Sequence, residues 1–357
     1  MPPRVCYIAT EFFAWGRWGG IGKATRDIAS GVAERGFEIH AVVPRERGQK
    51  RVEEIDGVIV HSHPLHAYPF SGRLYREIGA DIYHSEEPSW GTLLAMNSVE
   101  GSMHVVTAQN PRTKADWRRV QRYYPLRRRI YNRLIQPGVE ASVRRADAVF
   151  CQARFVTRKT RELYGLESDP GFLPNPVDVP KGDPRKSTAP TVCFLGRLDG
   201  EKSPETFFSL ANSFPDVRFV AVGRAHDPAR DRRLRERYGG APNLELKGFL
   251  TGEEKARVLE ESWVLVNTSV HECLPVSFLE AAAHRCAILS PHDPDGFATR
   301  FGYHAAAGNY VDGLRWLLEG ERWRERGERG YRYVSGVHEK KTVIERHLEV
   351  YEGLMRG

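Results

Sequence analysis

The stretch TVCFLGRLDGEKSPETFFSLANSFPDVRFVAVG (191–223) decides the fold. It opens and closes on short apolar runs, TVCFLG (191–196) and VRFVAVG (217–223), and a helical segment starts between them near Ser203 or Pro204. Strand, crossover helix and strand make the repeating unit of a parallel sheet. The same alternation extends outward in both directions. Downstream it continues through LELKGF (244–249), WVLVNTS (263–269) and CAILS (286–290). Upstream a first set reads VCYIAT (5–10), FEIHAVV (37–43), GVIVHS (57–62), ADIYHS (80–85), HVVTAQ (104–109) and DAVFCQ (147–152). Between the sets, LPNPVDVPKGDPRKSTAP (173–190) carries five prolines and favours extended chain. The expected organisation is therefore α/β, with one Rossmann-like parallel-sheet domain over residues 1–173 and a linker over 174–190. A second such domain covers 191–337, and a closing helix covers 338–357. Open sheets of this kind bind ligands at the carboxyl ends of their strands, so a cleft where two domains face each other is the expected active site.

The 357 residues suit two domains. With 41% hydrophobic and 28% charged residues the chain is globular, which excludes disordered and collagen-like classes. No run approaches the roughly 20 apolar residues of a membrane-spanning helix. The N-terminus lacks the pattern of a secretory leader, so a cytoplasmic protein is expected. Five cysteines without a C-x-x-C pair read as reduced small hydrophobes, giving neither a disulfide framework nor a metal site. The net charge of +7 permits an anionic partner.

The sharpest chemical signal is HECLPVSFLEAAAHRCAIL (271–289), in which seven residues separate Glu272 from Glu280. Pro275 suits a helix start, and the amides that follow at Val276 and beyond would offer an anion site. The two carboxylates flank that site, of order 10 Å apart at 1.5 Å per residue. This spacing suits a diphosphate with a hydroxyl-rich sugar on each side, because a carboxylate accepts from a vicinal diol. Taken alone, a capping Glu272 and a surface Glu280 explain it as well. Upstream, Arg197 and Lys202 follow the strand ending at Gly196 and precede another helix start. Two cations there suit a diphosphate leaving group, against the alternative of two solvated loop residues.

With these motifs in order, the chain resembles glycosyltransferase family 4, the retaining "group 1" enzymes of GT-B fold that use nucleotide-sugar donors. The resemblance implies that Glu272 contacts the donor sugar, together with the neighbouring Leu274, Pro275 and Val276, and that Glu280 binds the ribose. It implies that Arg197 and Lys202 hold the diphosphate, that VAVGR supplies Gly223 and Arg224, and that LKGFL supplies Phe249 and Leu250 near the base. It further implies that Gly19 and Gly20 form a double-glycine loop closing over donor and acceptor, and that the last helix crosses back to the first domain. Neither a Walker A motif nor the dinucleotide fingerprint fits this loop, since Thr25 stands at the third glycine's place.

His84 and Glu86 end a strand where the family has a histidine-bearing turn facing the cleft, although a structural polar role fits them equally. Gln109 stands where many members have histidine, with Arg112 just after it. Glutamine cannot serve as a general base, so Gln109 is expected to position a sugar hydroxyl while the leaving phosphate accepts the proton. Residues 291–302 depart from the expected glycine-pair segment and receive no role.

From Arg112 to Arg133 there are nine basic residues, among them Arg118, Arg119, Arg122, Arg127, Arg128 and Arg129, against one acid, Asp116. Interleaved aromatics favour an anionic membrane surface or a lipid-phosphate acceptor over a merely solvated face. No nucleic-acid-binding motif accompanies the charges. The sequence thus points to a retaining, metal-independent hexosyltransferase with a nucleotide-sugar donor, a lipid-linked or cell-envelope glycan acceptor and no cofactor, peripheral at the inner face of a membrane. A nucleotide-sugar epimerase of the same architecture and a non-catalytic basic sugar- or nucleic-acid-binding protein are the competing readings.

Overall fold

The computed structural model describes residues 2–13, 19–45, 48–64, 70–124 and 126–356, apart from the side chains of residues 127, 128, 131 and 132. Arg127 and Arg128 therefore lie outside the described side chains. The chain forms two compact units. The first comprises Met1–Thr113, Tyr124–Pro176 and His338–Gly357, and the second Lys114–Tyr123 and Val177–Val337.

The first unit holds an eight-stranded sheet of β1 (Arg4–Ile8), β2 (Glu38–Pro44), β3 (Val52–Ile55), β4 (Val58–His63), β5 (Ile82–Ser85), β6 (Met103–Ala108), β7 (Ala148–Cys151) and β8 (Gly171–Phe172), ordered β3-β4-β2-β1-β5-β6-β7-β8. Every pairing is parallel except the β3–β4 hairpin. The second unit's six strands, β9 (Thr191–Leu195), β10 (Arg218–Val222), β11 (Leu244–Gly248), β12 (Val264–Val266), β13 (Ala287–Ser290) and β14 (Gly302–His304), are all parallel in the order β11-β10-β9-β12-β13-β14. The strand order reverses at β1 in the first sheet and at β9 in the second, and such switch points are where open α/β sheets take their ligands.

Helices α1 (Gly20–Ala33), α2 (Gly72–Ile78) and α3 (Trp90–Ser98) belong to the first unit, α4 (Lys114–Val120) to the second, and α5 (Leu126–Val143) and α6 (Thr157–Tyr164) again to the first. The second unit continues with α7 (Pro204–Ala211), α8 (Pro228–Tyr238), α9 (Gly252–Glu261), α10 (Val276–Ala283), α11 (Phe297–Phe301), α12 (Tyr310–Leu318) and α13 (Arg322–Val337). The last helix, α14 (Lys340–Arg356), returns to the first unit. Its Val343, Ile344 and Tyr351 join Val5, Tyr7, Ile28, Val32 and Ile39 in one core. Gly31 on α1 lets that helix in, since a Cβ there would lie 2.0 Å from Ile344 Cδ1. The second core gathers Phe194, Phe207, Phe219 and Leu289 with Trp323, which stacks on Trp263 at 4.6 Å. Each such side chain contributes about 2–3 kcal/mol by leaving water.

Several features differ from the sequence reading. Strands β3, β8 and β14 are not among the expected ones: β3 (VEEI) is charged and on an edge, and the other two have three residues or fewer. Residues 291–302 are not a plain loop, because they include α11 and lead into β14. The 174–190 stretch is extended yet partly packed, with Asn175 and Val177 buried. The basic stretch does not form one face of the first domain, since Lys114–Tyr123 clusters with the second unit. All five cysteines are buried and free. Among the described residues no helix is long and apolar enough to cross a membrane.

Candidate functional site

In the second unit the loops after β9 and β12 are laced together. Thr268 donates its hydroxyl to the carbonyls of Lys202 and Ser203, both at 2.9 Å, and the Val270 amide donates to the Glu201 carbonyl at 2.8 Å. This lacing brings Lys202 Nζ onto Glu272 Oε1, which also accepts from Asn267 Nδ2 at 3.3 Å. Burial alone would push the Glu272 carboxyl up, but the Lys202 ammonium and hydrogen bonds from Ser269 and Asn267 outweigh it and hold the pKa below the ordinary value. Ser269 is tethered in turn, its carbonyl 2.7 Å from His292 Nε2, so the 291–302 segment supports the site indirectly.

Three residues after Glu272, Pro275 is the extended N-cap of α10, and among the described residues no side chain caps the helix. Amides at such an uncapped start are the kind of donors that bind anions, although the Phe278 amide already donates to the Pro275 carbonyl at 2.9 Å. Leu274 and Val276 are buried. Further along, Glu280 is 8% exposed and pairs with Lys255 Nζ at 2.7 Å.

At the neighbouring strand ends, Gly223 adopts φ +146°, and a Cβ there would sit 1.8 Å from the Gly196 carbonyl oxygen. Only glycine permits this approach. Arg197 is turned toward His226 Nδ1 at 3.2 Å and Asp199 at 3.5 Å, with 41% of its side chain exposed. A cavity of about 460 Å³ opens beside Arg224, Asp231, Arg235, Lys247 and Gly248. Just beyond it, Phe249 is exposed and Leu250 half-buried.

The first unit holds a buried polar layer. The Gln109 amide donates to Glu86 Oε2 and to Asn175 Oδ1, both at 2.9 Å, and accepts from Asn175 Nδ2 at 2.8 Å. Both its amide hydrogens are thus engaged, and the expected role in positioning a sugar hydroxyl is not available to them. His84 and Glu86 are likewise buried. Both are sealed in the core, His84 between Tyr351 Oη at 2.6 Å and Thr107 Oγ1 at 2.8 Å. Burial lowers the His84 pKa and raises that of Glu86 to about 7, with the charge of Glu87 adding to the rise. His84, Glu86 and His347 are near enough to hold a metal ion, but both His84 nitrogens already have partners. Arg112 is half-buried, 3.1 Å from the Tyr124 hydroxyl.

The start of α1 is occupied from within the chain. Glu11 Oε1 accepts the Gly22 amide at 3.0 Å, and a Cβ on Gly19 would lie 2.2 Å from that same oxygen. Gly20, beside it, is exposed. Glu11, Asn175, Asn267, Thr268 and Lys255 are not singled out by sequence. Only Glu11 has a local signal, a carboxylate shortly before a glycine-led helix.

Comparisons with known proteins agree with the fold and give the family. The family described as "Glycosyltransferase Family 4" matches residues 18–181, and "Glycosyl transferases group 1" matches residues 179–326. A curated relative, a phosphatidylinositol N-acetylglucosaminyltransferase subunit of Arabidopsis thaliana, is 27% identical over 153 residues, which span 40% of this chain and 34% of that protein. Among solved structures, sucrose-phosphate synthase from Thermosynechococcus elongatus superposes with a TM-score of 0.78 at 14% identity, covering 99% of both chains. Anabaena HepE, solved with UDP-glucose, gives 0.72 at 12% identity over 98% of this chain and 99% of its own. WaaG, a glycosyltransferase involved in lipopolysaccharide biosynthesis, gives 0.70 at 15% over 97% and 99%. The two-sheet GT-B fold is common to them, and the chain belongs to the group 1 glycosyltransferases, with a family 4 N-terminal region.

Proposed function

We propose that the protein is a retaining, metal-independent hexosyltransferase that moves a sugar from a nucleotide diphosphate donor to an acceptor hydroxyl. The observation that carries this reading is the Lys202–Glu272 pair beside the uncapped start of α10, with Glu280 further along the same helix. The α10 amides and Lys202 receive the diphosphate, and Arg197 swings from Asp199 to join them. As the glycosidic bond breaks, these groups stabilise the charge that develops on the leaving diphosphate, which is the service a metal ion gives in other transferases. Glu272 accepts from the sugar hydroxyls and Glu280 from the ribose. Gln109 holds no spare proton acceptor, so the leaving phosphate takes the acceptor's proton on the face it departs from. The configuration at the sugar carbon is then retained.

The acceptor we propose is a lipid-linked or cell-envelope glycan at an anionic membrane surface. Arg118, Arg119, Arg122 and Arg129 are exposed. On α5, Leu126, Ile130 and Leu134 are 66%, 52% and 75% exposed at helical spacing. Exposed Arg129 and Arg133 beside this apolar stripe on the same helix suit an element lying in a lipid interface. The Arabidopsis relative's name, which carries a phosphatidylinositol, supports a lipid acceptor.

The test incubates the purified chain with UDP-, ADP- and GDP-hexoses, with and without vesicles containing anionic phospholipid, in the presence of EDTA. Nucleoside diphosphate release is followed and the product anomer is read by NMR. The proposal expects one donor to be consumed, a product of retained configuration and no loss to the chelator. An inverted product or chelator-abolished activity contradicts the mechanism. Epimerised donor without transfer indicates the epimerase, and binding without turnover indicates a non-catalytic protein.

A further inference from the structure

Helix α9 begins immediately after the loop holding Phe249 and Leu250, and its Lys255 reaches across to α10. The Lys255 ammonium donates to Glu280 Oε1 at 2.7 Å, with 17% and 10% of the two side chains exposed. Thr251 is the extended N-cap of α9, and the Lys255 amide hydrogen-bonds back to the Thr251 carbonyl, so the backbone that carries this ammonium is fixed within the helix's first turn. Glu280 is fixed from behind as well, since its own carbonyl lies 2.8 Å from His284 Nδ1. A free glutamate side chain samples several rotamers, and holding one carboxylate oxygen leaves the other in a single place. A carboxylate paired in this way accepts a diol without a fresh ordering cost.

We propose that Lys255 is the positioning residue of the nucleoside site: it takes one oxygen of Glu280 and so presents the other to the ribose 2′- and 3′-hydroxyls. The inference rests on the assignment of Glu280 to the ribose. It adds that discrimination between ribose and a ribose lacking those hydroxyls depends on a residue that touches neither. Because the pair joins α9, which follows the Phe249 loop, to α10, which starts at the diphosphate site, it also ties the two ends of the nucleotide site to one geometry. A cation-only role for Lys255, attracting the diphosphate at a distance, would affect both nucleosides equally.

The experiment titrates the parent, Lys255→Met, Lys255→Arg and Glu280→Gln calorimetrically with UDP, ADP and GDP. The diphosphate that binds the parent tightest is then compared with its 2′,3′-dideoxy form, and thermal unfolding verifies that each variant is folded. The expected result is that the parent prefers the ribose form by about tenfold or more, the discrimination typical of a satisfied charged hydrogen bond. Lys255→Met should bring the two affinities to within about twofold, chiefly by weakening the ribose form, while Lys255→Arg restores the preference. If Lys255→Met weakens both forms equally, or leaves the preference intact while Glu280→Gln abolishes it, the proposal for Lys255 is overturned and the ribose assignment stands. If Glu280→Gln also keeps the preference, or no diphosphate binds the parent, the underlying assignment fails and the proposal with it.

Discussion

Lys202 and Glu272 lie 70 positions apart in the chain and form an ion pair in which 9% of the Glu272 side chain is exposed. The pair couples the loop after β9 to the loop before α10, so the cation proposed for the diphosphate and the carboxylate proposed for the sugar hold each other in place. Breaking such a pair by removing one partner leaves a charge that burial penalises. Lys202→Met is therefore expected to destabilise the protein by about 2–4 kcal/mol in urea unfolding and to lower turnover at least a hundredfold. Equal losses in kcat and kcat/KM would locate its effect in the transition state.

The same pair sets an acid limit. The Glu272 carboxyl has its pKa lowered on folding, so its contribution to stability is complete above the unfolded value of about 4.5 and is lost as pH falls through the lower folded value. Glu272→Gln should flatten the acid limb of a plot of melting temperature against pH and leave its slope between pH 6 and 8 unchanged.

Glu86 acts in the opposite sense. Burial raises its pKa to about 7, with a contribution from the charge of Glu87, so folding favours the protonated form. Stability from this group is fully present below about 4.5 and declines as pH rises toward 7. Glu86→Gln imitates the protonated acid. The variant should melt close to the parent at pH 4.5 and above it, by about 2–4 °C per kcal/mol relieved, at pH 8. A constant difference across that range would contradict the assignment.

Gly223 and Gly196 meet at the ends of β10 and β9, where an added Cβ would penetrate a carbonyl oxygen. Gly223→Ala should cost about 2–4 kcal/mol in unfolding free energy and weaken nucleotide binding, because the backbone must move where glycine's φ is needed.

Lys186 tests the packed part of the 174–190 stretch. Its ammonium donates to the His284 carbonyl at 2.7 Å, to the Leu259 carbonyl at 3.2 Å and to the Ser262 carbonyl. Lys186→Met takes its donor from the His284 carbonyl and leaves those of Leu259 and Ser262 with the weak donor Cys286 Sγ, so it should destabilise by about 1–3 kcal/mol, with turnover at 15 °C close to the parent's.

Much of the architecture could be read from the chain. Each of the eleven apolar runs marked as strands contains one, because parallel strands are buried on both faces and announce themselves as continuous Val, Ile and Leu. What escaped was short or charged, as VEEI in β3 illustrates. At the site, the spacing of Glu272 and Glu280 about a helix start was visible because helix geometry is local. Their ion-pair partners Lys202 and Lys255 come from other elements, 70 and 25 positions away, and a long-range pairing leaves no periodic trace. Gln109 shows the limit in the other direction. Its amide is expected to meet a ligand, but its hydrogens go to Glu86 and Asn175, the latter 66 residues away.

The central claim, that Lys202 stabilises the leaving diphosphate of a nucleotide sugar, is tested most directly by one measurement. Single-turnover release of nucleoside diphosphate from the preferred donor is followed in the parent and in Lys202→Met, with EDTA present and donor saturating both proteins. The account predicts release by the parent and a rate at least a hundredfold lower in the variant, with donor affinity changed less than tenfold. Equal rates in the two proteins, or no release by the parent until a divalent metal is supplied, would contradict it.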